Sequence, residues 1–144
     1  MHDKRNHQRG FTLMEIMVVI FIMGLLVAVV APSVLGSQDK AVKQKVMADL
    51  SSLEQALDMY RLDNLRFPSS EQGLAALISK PVVEPLPRAW RDDGYIRRLP
   101  ADPWGAPYQY RSPGEHGRFD VFSLGADGLE GGEGMDADLG NWDL

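Results

Sequence analysis

The chain has 144 residues, a formal net charge of -5 and no cysteine. This length suits one domain with a tether rather than two full domains. The negative charge argues against a nucleic-acid partner, because nothing would offset repulsion from phosphates. The lack of cysteine excludes a disulfide framework and thiol chemistry.

The first ten residues form a polar leader in which three basic side chains outnumber Asp3. A nearly unbroken apolar run follows from Phe11 to Ala31. At about 1.5 Å of rise per helical residue, this run nearly crosses a hydrocarbon core of roughly 30 Å. We predict a membrane-spanning helix over residues 11–36, with the basic leader, residues 1–10, in the cytoplasm and the rest of the chain on the far side.

Glu15 is the single charged residue of the apolar run. A carboxylate inside a membrane helix is costly and is a functional-site hypothesis by default. If the chain is cut between Gly10 and Phe11, the new Phe11 amine can pair with Glu15 of a neighbouring copy. Such a pair would favour polymerisation, because each buried charge is satisfied only in the polymer. A plain signal anchor leaves Glu15 unexplained, and a cleaved secretory signal lacks a small-x-small site after the run.

The residues Gly10-Phe11-Thr12-Leu13-Met14-Glu15, with the basic leader before them and the apolar run after them, resemble the prepilin signal of type IV pilins and pseudopilins. In that family a membrane peptidase cuts after the glycine and methylates the new amine. The resemblance implies cleavage between Gly10 and Phe11, N-methylation of Phe11, and an assembly role for Glu15.

Beyond the apolar run, Pro32 removes a backbone donor and disfavours helix at the residue before it, which predicts a kink or local melting. An amphipathic helix is expected over residues 37–62. Its apolar side chains recur at steps of four and three and predict one core-facing stripe. The members of this stripe are Val46, Leu50, Leu53, Leu57 and Tyr60.

Residues 63–106 read as a loop region with one short helix, which Ser70 is expected to cap and which ends before Pro81. Asp102-Pro103-Trp104-Gly105 has proline and glycine where a type I turn needs them. Within residues 107–144, Tyr108 to Arg111 and Arg118 to Ser123 are short β-prone runs that predict an antiparallel pair. The predicted fold is α+β, with a small antiparallel sheet packed on the second half of a long N-terminal helix.

The C-terminal segment is acidic and rich in glycine, with no Lys or Arg after Arg118. Calcium needs six to eight hard oxygens on a chain that can curl, and alternating acids and glycines supply both. Asp136 and Asp138 can point at one ion, Asp127 can reach it from across the glycine turn, and backbone carbonyls such as those of Leu124 and Glu130 can complete the shell. A solvated acidic tail remains the alternative.

A second resemblance spans nearly the whole chain from Gly10 onward. The chain is similar to the major, or G-type, pseudopilin of type II secretion systems, and is type IV pilin-like in its expected fold. The resemblance implies a calcium ion in the C-terminal loop, with side-chain ligands Asp127, Asp136 and Asp138, the Leu124 carbonyl, and Glu130 and Glu133 as further candidates. It is carried by these stretches: Leu57 to Asn64, Pro68 to Leu74, Asp102 to Gly105, Phe119 to Gly128 and Asp136 to Asp143.

The function that this resemblance implies is that of a major structural subunit of a secretion pseudopilus in the bacterial inner membrane, with its C-terminal domain in the periplasm. The filament would help to drive folded exoproteins through the outer membrane. Expected partners are copies of the chain, minor pseudopilins, the inner-membrane assembly platform, prepilin peptidase and the membrane, but no nucleic acid. The alternative is a subunit of another type IV-like pilus, for adhesion, motility or DNA uptake.

Enzymatic activity is not expected. His116 lies between Glu115 and Gly117 in a predicted exposed turn, and Asp92-Asp93 precedes a glycine as in a turn. The serines have cap, turn or strand explanations. The three tryptophans are expected to be packing anchors rather than parts of a ligand site.

Overall fold

The computed structural model describes residues 10–144, without the side chains of residues 31–37. The chain divides into two compact units between Gln38 and Asp39. One helix, α1, runs from Leu13 to Asn64. Of the two outcomes predicted at Pro32, local melting is not observed, since the helix is assigned through it. Proline removes one hydrogen bond from a helix without necessarily ending it, and a kink there remains a prediction.

The C-terminal half of α1 carries the predicted apolar stripe. All five of its members are completely buried, and they form the centre of the hydrophobic core of the second unit. Spacings of four and three place these side chains on one face of a helix, so that a single surface can cover them. That surface includes Leu77, Tyr108, Phe119 and Val121.

Asn64 ends α1 and ties its last turn to the following loop. This buried amide donates to the Tyr60 carbonyl at 3.0 Å and to the Tyr95 hydroxyl at 2.9 Å, and it accepts the Ala89 N–H at 3.0 Å. Leu65 follows with a φ of 62°, the left-handed conformation in which many helices end. The loop therefore leaves the helix at a defined residue.

A short 3-10 helix, Leu74–Leu77, follows. The prediction that Ser70 caps this helix is wrong, because the Ser70 hydroxyl instead accepts the Ser112 N–H at 2.8 Å and donates to the Ser112 carbonyl at 3.0 Å. Ser69 takes a cap-like role: its hydroxyl accepts the Gln72 N–H at 3.2 Å, and the Gln72 side chain accepts the Ser69 N–H at 3.0 Å. This reciprocal arrangement is that of a capping box.

The predicted antiparallel pair is confirmed as strands β1, Gln109–Arg111, and β2, Asp120–Ser123. A third strand, β3, Leu139–Gly140, pairs antiparallel with β2, which makes β2 the central strand. All four residues of β2 are buried. The loop between β2 and β3 is the acidic, glycine-rich segment, so the sheet holds both of its ends.

Candidate functional site

The predicted cleavage point lies at the exposed start of the described chain. Gly10 is exposed, and the Phe11 side chain is 80% exposed. Residues 1–9 of the predicted leader lie outside the described residues. Since α1 begins at Leu13, the Gly10–Phe11 bond lies before the helix.

Glu15 takes part in a capping box at the start of α1. The Thr12 N–H donates to the Glu15 carboxylate at 3.4 Å, and the Thr12 hydroxyl accepts the Glu15 N–H at 3.2 Å. The Thr-x-x-Glu spacing is a sequence signal for this motif, and the sequence reasoning above missed it. Glu15 therefore has a local partner within the isolated chain, in addition to the assembly role predicted for it.

The apolar first half of α1 has no covering layer within the described part of the chain. The segment from Leu13 to Val30 is long and apolar enough to cross a membrane, and none of its residues is buried. A helix that is apolar on all sides and unburied needs an apolar surrounding. Lipid and other copies of the same helix both supply one.

The acidic loop, residues 124–138, is closed by the sheet and by its own backbone. Ser123 pairs with Leu139 across β2 and β3. Inside the loop, the Ala126 N–H donates to the Met135 carbonyl at 2.9 Å, and the Asp138 N–H donates to the Gly131 carbonyl at 3.2 Å. The acidic segment is thus an ordered loop, folded back on itself.

Two glycines in the acidic loop are required by close backbone approach. A Cβ added at Gly125 or at Gly132 would lie 2.5 Å from the Asp136 carbonyl oxygen. Both glycines also have positive φ, 70° and 84°, which other residues rarely adopt. The Asp136 backbone is therefore enclosed between two turns that only glycine can form.

Asp138 shows the clearest sign of a missing partner. Its Oδ2 accepts the Gly131 N–H at 2.9 Å, while its Oδ1 is buried and has no hydrogen-bond partner among the described residues. A buried carboxylate oxygen without a partner is costly and calls for an explanation. A cation bound at this oxygen would provide one, so Asp138 fits the predicted calcium site.

The other predicted ligands lie in the same loop but do not gather around Asp138. Asp127, Glu130, Glu133 and Asp136 are exposed. The Asp127 carboxylate accepts the Leu129 N–H at 3.0 Å, and Glu130 pairs with Arg111 at 3.1 Å. Leu124 is half-buried. Among the described residues, no three His, Asp or Glu side chains come together as a metal-binding group.

A small cluster of Asp120, His116 and Trp142 lies next to the acidic loop, and the sequence did not predict that these residues meet. Asp120 is buried, and its carboxylate accepts the backbone N–H groups of Glu115 at 2.7 Å and of His116 at 3.2 Å. The His116 ring lies 3.2 Å from the same carboxylate and stacks on Trp142, with a centroid separation of 4.0 Å. His116 is exposed, as expected for a turn residue, with half of its side chain accessible to solvent.

Burial by itself would raise the pKa of the Asp120 carboxyl, but the N–H groups of Glu115 and His116 and the His116 ring outweigh it and lower the pKa. A depressed native pKa contributes stability above the usual aspartate pKa of about 3.9, and that stability is lost as the pH falls through the native value.

We therefore expect Asp120→Asn to lower the free energy of unfolding near pH 7 by about 1–3 kcal/mol, because the N–H groups of Glu115 and His116 lose their charged acceptor. The free energy of unfolding of the variant should also fall less steeply than that of the wild-type chain as the pH is lowered through the acid range. Urea unfolding across the acid range measures both, with the exposed Asp93→Asn as the matched control. A variant with the wild-type pH dependence would show that Asp120 does not carry this effect.

Comparison with known proteins matches both halves of the chain. The family described as "Type II secretion system (T2SS), protein G" matches residues 33–142. The "Prokaryotic N-terminal methylation motif" matches residues 5–31. Neither is a catalytic family.

Individual relatives agree with these families. The chain is 59% identical over 137 residues to a protein named type II secretion system core protein G from Pectobacterium carotovorum, covering 95% of this chain and 86% of that protein. It is 56% identical over 141 residues to the protein of the same name from Vibrio cholerae, covering 98% and 96%.

Among solved structures, the chain is similar to the crystal structure of the major pseudopilin from the type 2 secretion system of enterohaemorrhagic Escherichia coli. The TM-score is 0.71 at 58% identity, and the match covers 76% of this chain and 94% of that one. The predicted pilin-like α+β fold is thereby confirmed. Because one family covers most of the chain and these relatives cover nearly all of it, the chain belongs to the protein G family of type II secretion systems.

Proposed function

We propose that this chain is the major structural subunit of a type II secretion pseudopilus, which polymerises at the inner membrane to help drive folded exoproteins through the outer membrane. The observation that carries the proposal is the pair of family matches, which meet near Pro32 and together extend from residue 5 to residue 142. The relatives' names favour type II secretion over a pilus for adhesion, motility or DNA uptake.

The N-terminal segment would supply the anchor and the processing site. Prepilin peptidase would cut between Gly10 and Phe11 and methylate the Phe11 amine. The unburied apolar helix from Leu13 to Val30 would hold the subunit in the inner membrane as a single span. By the positive-inside rule, the second unit, which begins at Asp39, would lie in the periplasm.

Assembly would use the charge that cleavage creates. Within the described residues, the Glu15 carboxylate accepts a long hydrogen bond of 3.4 Å from the Thr12 N–H. Such a bond is weak, so little is lost when Glu15 turns to the positive Phe11 amine of a neighbouring subunit. Within lipid the charged pair is strongly preferred over either charge alone. Each added subunit would therefore satisfy one charge of the subunit before it.

The acidic loop would bind calcium and so fix the C-terminal surface of the subunit. Asp138 would be the central ligand, since its buried Oδ1 has no partner in the part of the chain that the structure describes. On binding, the exposed Asp127 and Asp136 carboxylates would turn toward the ion and, with the Leu124 carbonyl, complete the shell, with Glu130 and Glu133 as further oxygen donors. Calcium, when bound, supplies the positive charge that offsets repulsion among these acids. The glycines allow the backbone to bend around it.

The proposed partners follow from this role. The filament would be a homopolymer of this chain, with minor pseudopilins and an inner-membrane assembly platform as its further contacts.

A complementation experiment tests the proposal. The chain is expressed in a bacterium that secretes through a type II system and lacks its own protein G, and exoprotein activity is measured in the medium. We expect secretion to be restored, whereas a variant with Gly10→Arg, which blocks the proposed cleavage, should restore none. If the wild-type chain is processed and accumulates but no exoprotein is secreted, the proposed function is wrong.

A further inference from the structure

A buried hydrogen-bond chain connects the Asp102 turn to the first residues of the acidic loop. The Asp102 side chain is 4% exposed, and its Oδ1 accepts the N–H groups of Trp104 at 3.1 Å and Ala106 at 2.7 Å. Its Oδ2 is left to accept the Ser123 hydroxyl at 2.7 Å. An ionised carboxylate can only accept, so the hydroxyl hydrogen of Ser123 is directed at Asp102.

Ser123 passes this orientation on to the loop. Its side chain is completely buried, and its Oγ accepts the Gly125 N–H at 3.3 Å. Because Ser123 donates its hydroxyl hydrogen to Asp102, the lone pairs of its Oγ face the loop and can accept a hydrogen bond there. Ser123 is also the last residue of β2, paired with Leu139, so it stands where both ends of the loop meet.

The Gly125 N–H and the Leu124 carbonyl belong to one peptide unit. A peptide unit is planar and trans, so its N–H and its C=O point in opposite directions. When Ser123 holds the N–H, the direction of the Leu124 carbonyl is set as well. The backbone at Gly125 has little room to rotate away, because the Asp136 carbonyl oxygen packs closely against it, 2.5 Å from where a Cβ would lie.

We propose that Ser123 and Asp102 are positioning residues for calcium, which hold the Leu124 carbonyl in the direction that a cation in the acidic loop requires. This inference rests on the calcium binding proposed above. Neither residue touches the ion in this account. A carbonyl that is already fixed loses less conformational freedom on binding, and the calcium affinity is higher for that reason. Partners that orient metal ligands typically change affinity by about 10- to 100-fold.

The test compares calcium affinity with stability in the absence of calcium. The full chain in detergent micelles is titrated with calcium by calorimetry and is melted in chelator with tryptophan fluorescence as the probe. All three tryptophans lie in the second unit, so this signal reports on that unit. For Ser123→Ala we expect the Kd for calcium to rise by about 10- to 100-fold.

Ser70→Ala is the matched control. It also removes a hydroxyl that donates one hydrogen bond and accepts another, but at Ser112 rather than at the loop. Its melting temperature should fall in chelator, with the Kd for calcium unchanged. Asp102→Asn is the second test variant, because its amide would donate to Ser123 instead of accepting and so reverse the hydroxyl.

The outcomes separate the two proposals. A weakened Kd for Ser123→Ala, or for Asp102→Asn if the former does not fold, supports the positioning role. A wild-type Kd with only a lower melting temperature in chelator overturns it and leaves calcium binding intact. If the wild-type chain itself binds no calcium, the calcium proposal fails, and the positioning role fails with it.

Discussion

Removing calcium is expected to lower the melting temperature of the second unit by on the order of 10 °C. Calcium modules outside the cytoplasm have Kd values of about 10⁻⁴ to 10⁻³ M, and a ligand at a hundredfold excess over Kd adds roughly 2.7 kcal/mol of stability. For a unit of this size that free energy corresponds to such a shift. The physical reason is the buried Oδ1 of Asp138, which has no partner among the described residues and which a bound cation would satisfy.

The experiment is a thermal melt of the full chain in detergent micelles, with saturating calcium or with chelator. Asp138→Ala should abolish the calcium-dependent shift, whereas Asp93→Ala, which removes an exposed carboxylate outside the loop, should keep it. Magnesium should do less than calcium, because it keeps its waters and demands a tighter octahedral shell. Equal melting temperatures in calcium and chelator for the wild-type chain would show that the acidic loop is not a calcium site.

Replacing Glu15 with leucine is expected to abolish polymerisation while leaving membrane insertion intact. An apolar residue makes the helix easier to insert, but the Phe11 amine of each added subunit would lack its counter-charge. Removing one partner of a buried pair costs about 3–5 kcal/mol, which weakens each addition step by a factor on the order of hundreds to thousands. The fraction of the chain that sediments as filaments measures the effect.

Thr12→Ala separates the two roles of Glu15. This variant removes the hydroxyl that accepts the Glu15 N–H in the capping box but keeps the carboxylate for assembly. We expect it to sediment like the wild-type chain. If Glu15→Leu also polymerises normally, the pairing proposal is wrong and the cap is the only role left for Glu15.

The elements that the sequence predicted correctly are those set by local periodicity. The stripe from Val46 to Tyr60 repeats with the period of a helix. The two strands are short β-prone runs on either side of the turn residues Pro113-Gly114. Each of these patterns is complete within a short window, so no knowledge of distant residues is needed. The Asp102–Gly105 turn is of the same kind, and the Gly105 N–H bonds to the Asp102 carbonyl at 3.0 Å as expected.

The features that sequence reasoning missed depend on contacts between distant segments. Strand β3 has only two residues, one of them a glycine, and exists because β2 offers it a partner. The bond between Asp102 and Ser123 joins residues 21 positions apart. Ser70 resembles a helix cap in sequence, yet its hydroxyl bonds to Ser112, which is 42 positions away. No local pattern encodes such pairs.

The acidic loop was predicted from the sequence only in part. Its composition predicted oxygen ligands on a flexible backbone, and the structure folds the loop back on itself at Gly125 and Gly132. Which of the acids lacks a partner could not be read from the sequence, because that depends on how the backbone surrounds Asp138. The carboxylate of Glu130 is likewise engaged by Arg111 on β1, a contact that spacing alone does not indicate.

The most direct test of this account is sedimentation of filaments formed by the wild-type chain. The chain is produced together with prepilin peptidase and the assembly components of a type II secretion system, and filaments are sheared and pelleted in calcium and in chelator. We predict that the processed chain, which lacks its first ten residues, pellets as filaments in calcium and that these filaments are lost in chelator. A processed chain that remains dispersed in the membrane under both conditions would contradict its role as a pseudopilus subunit.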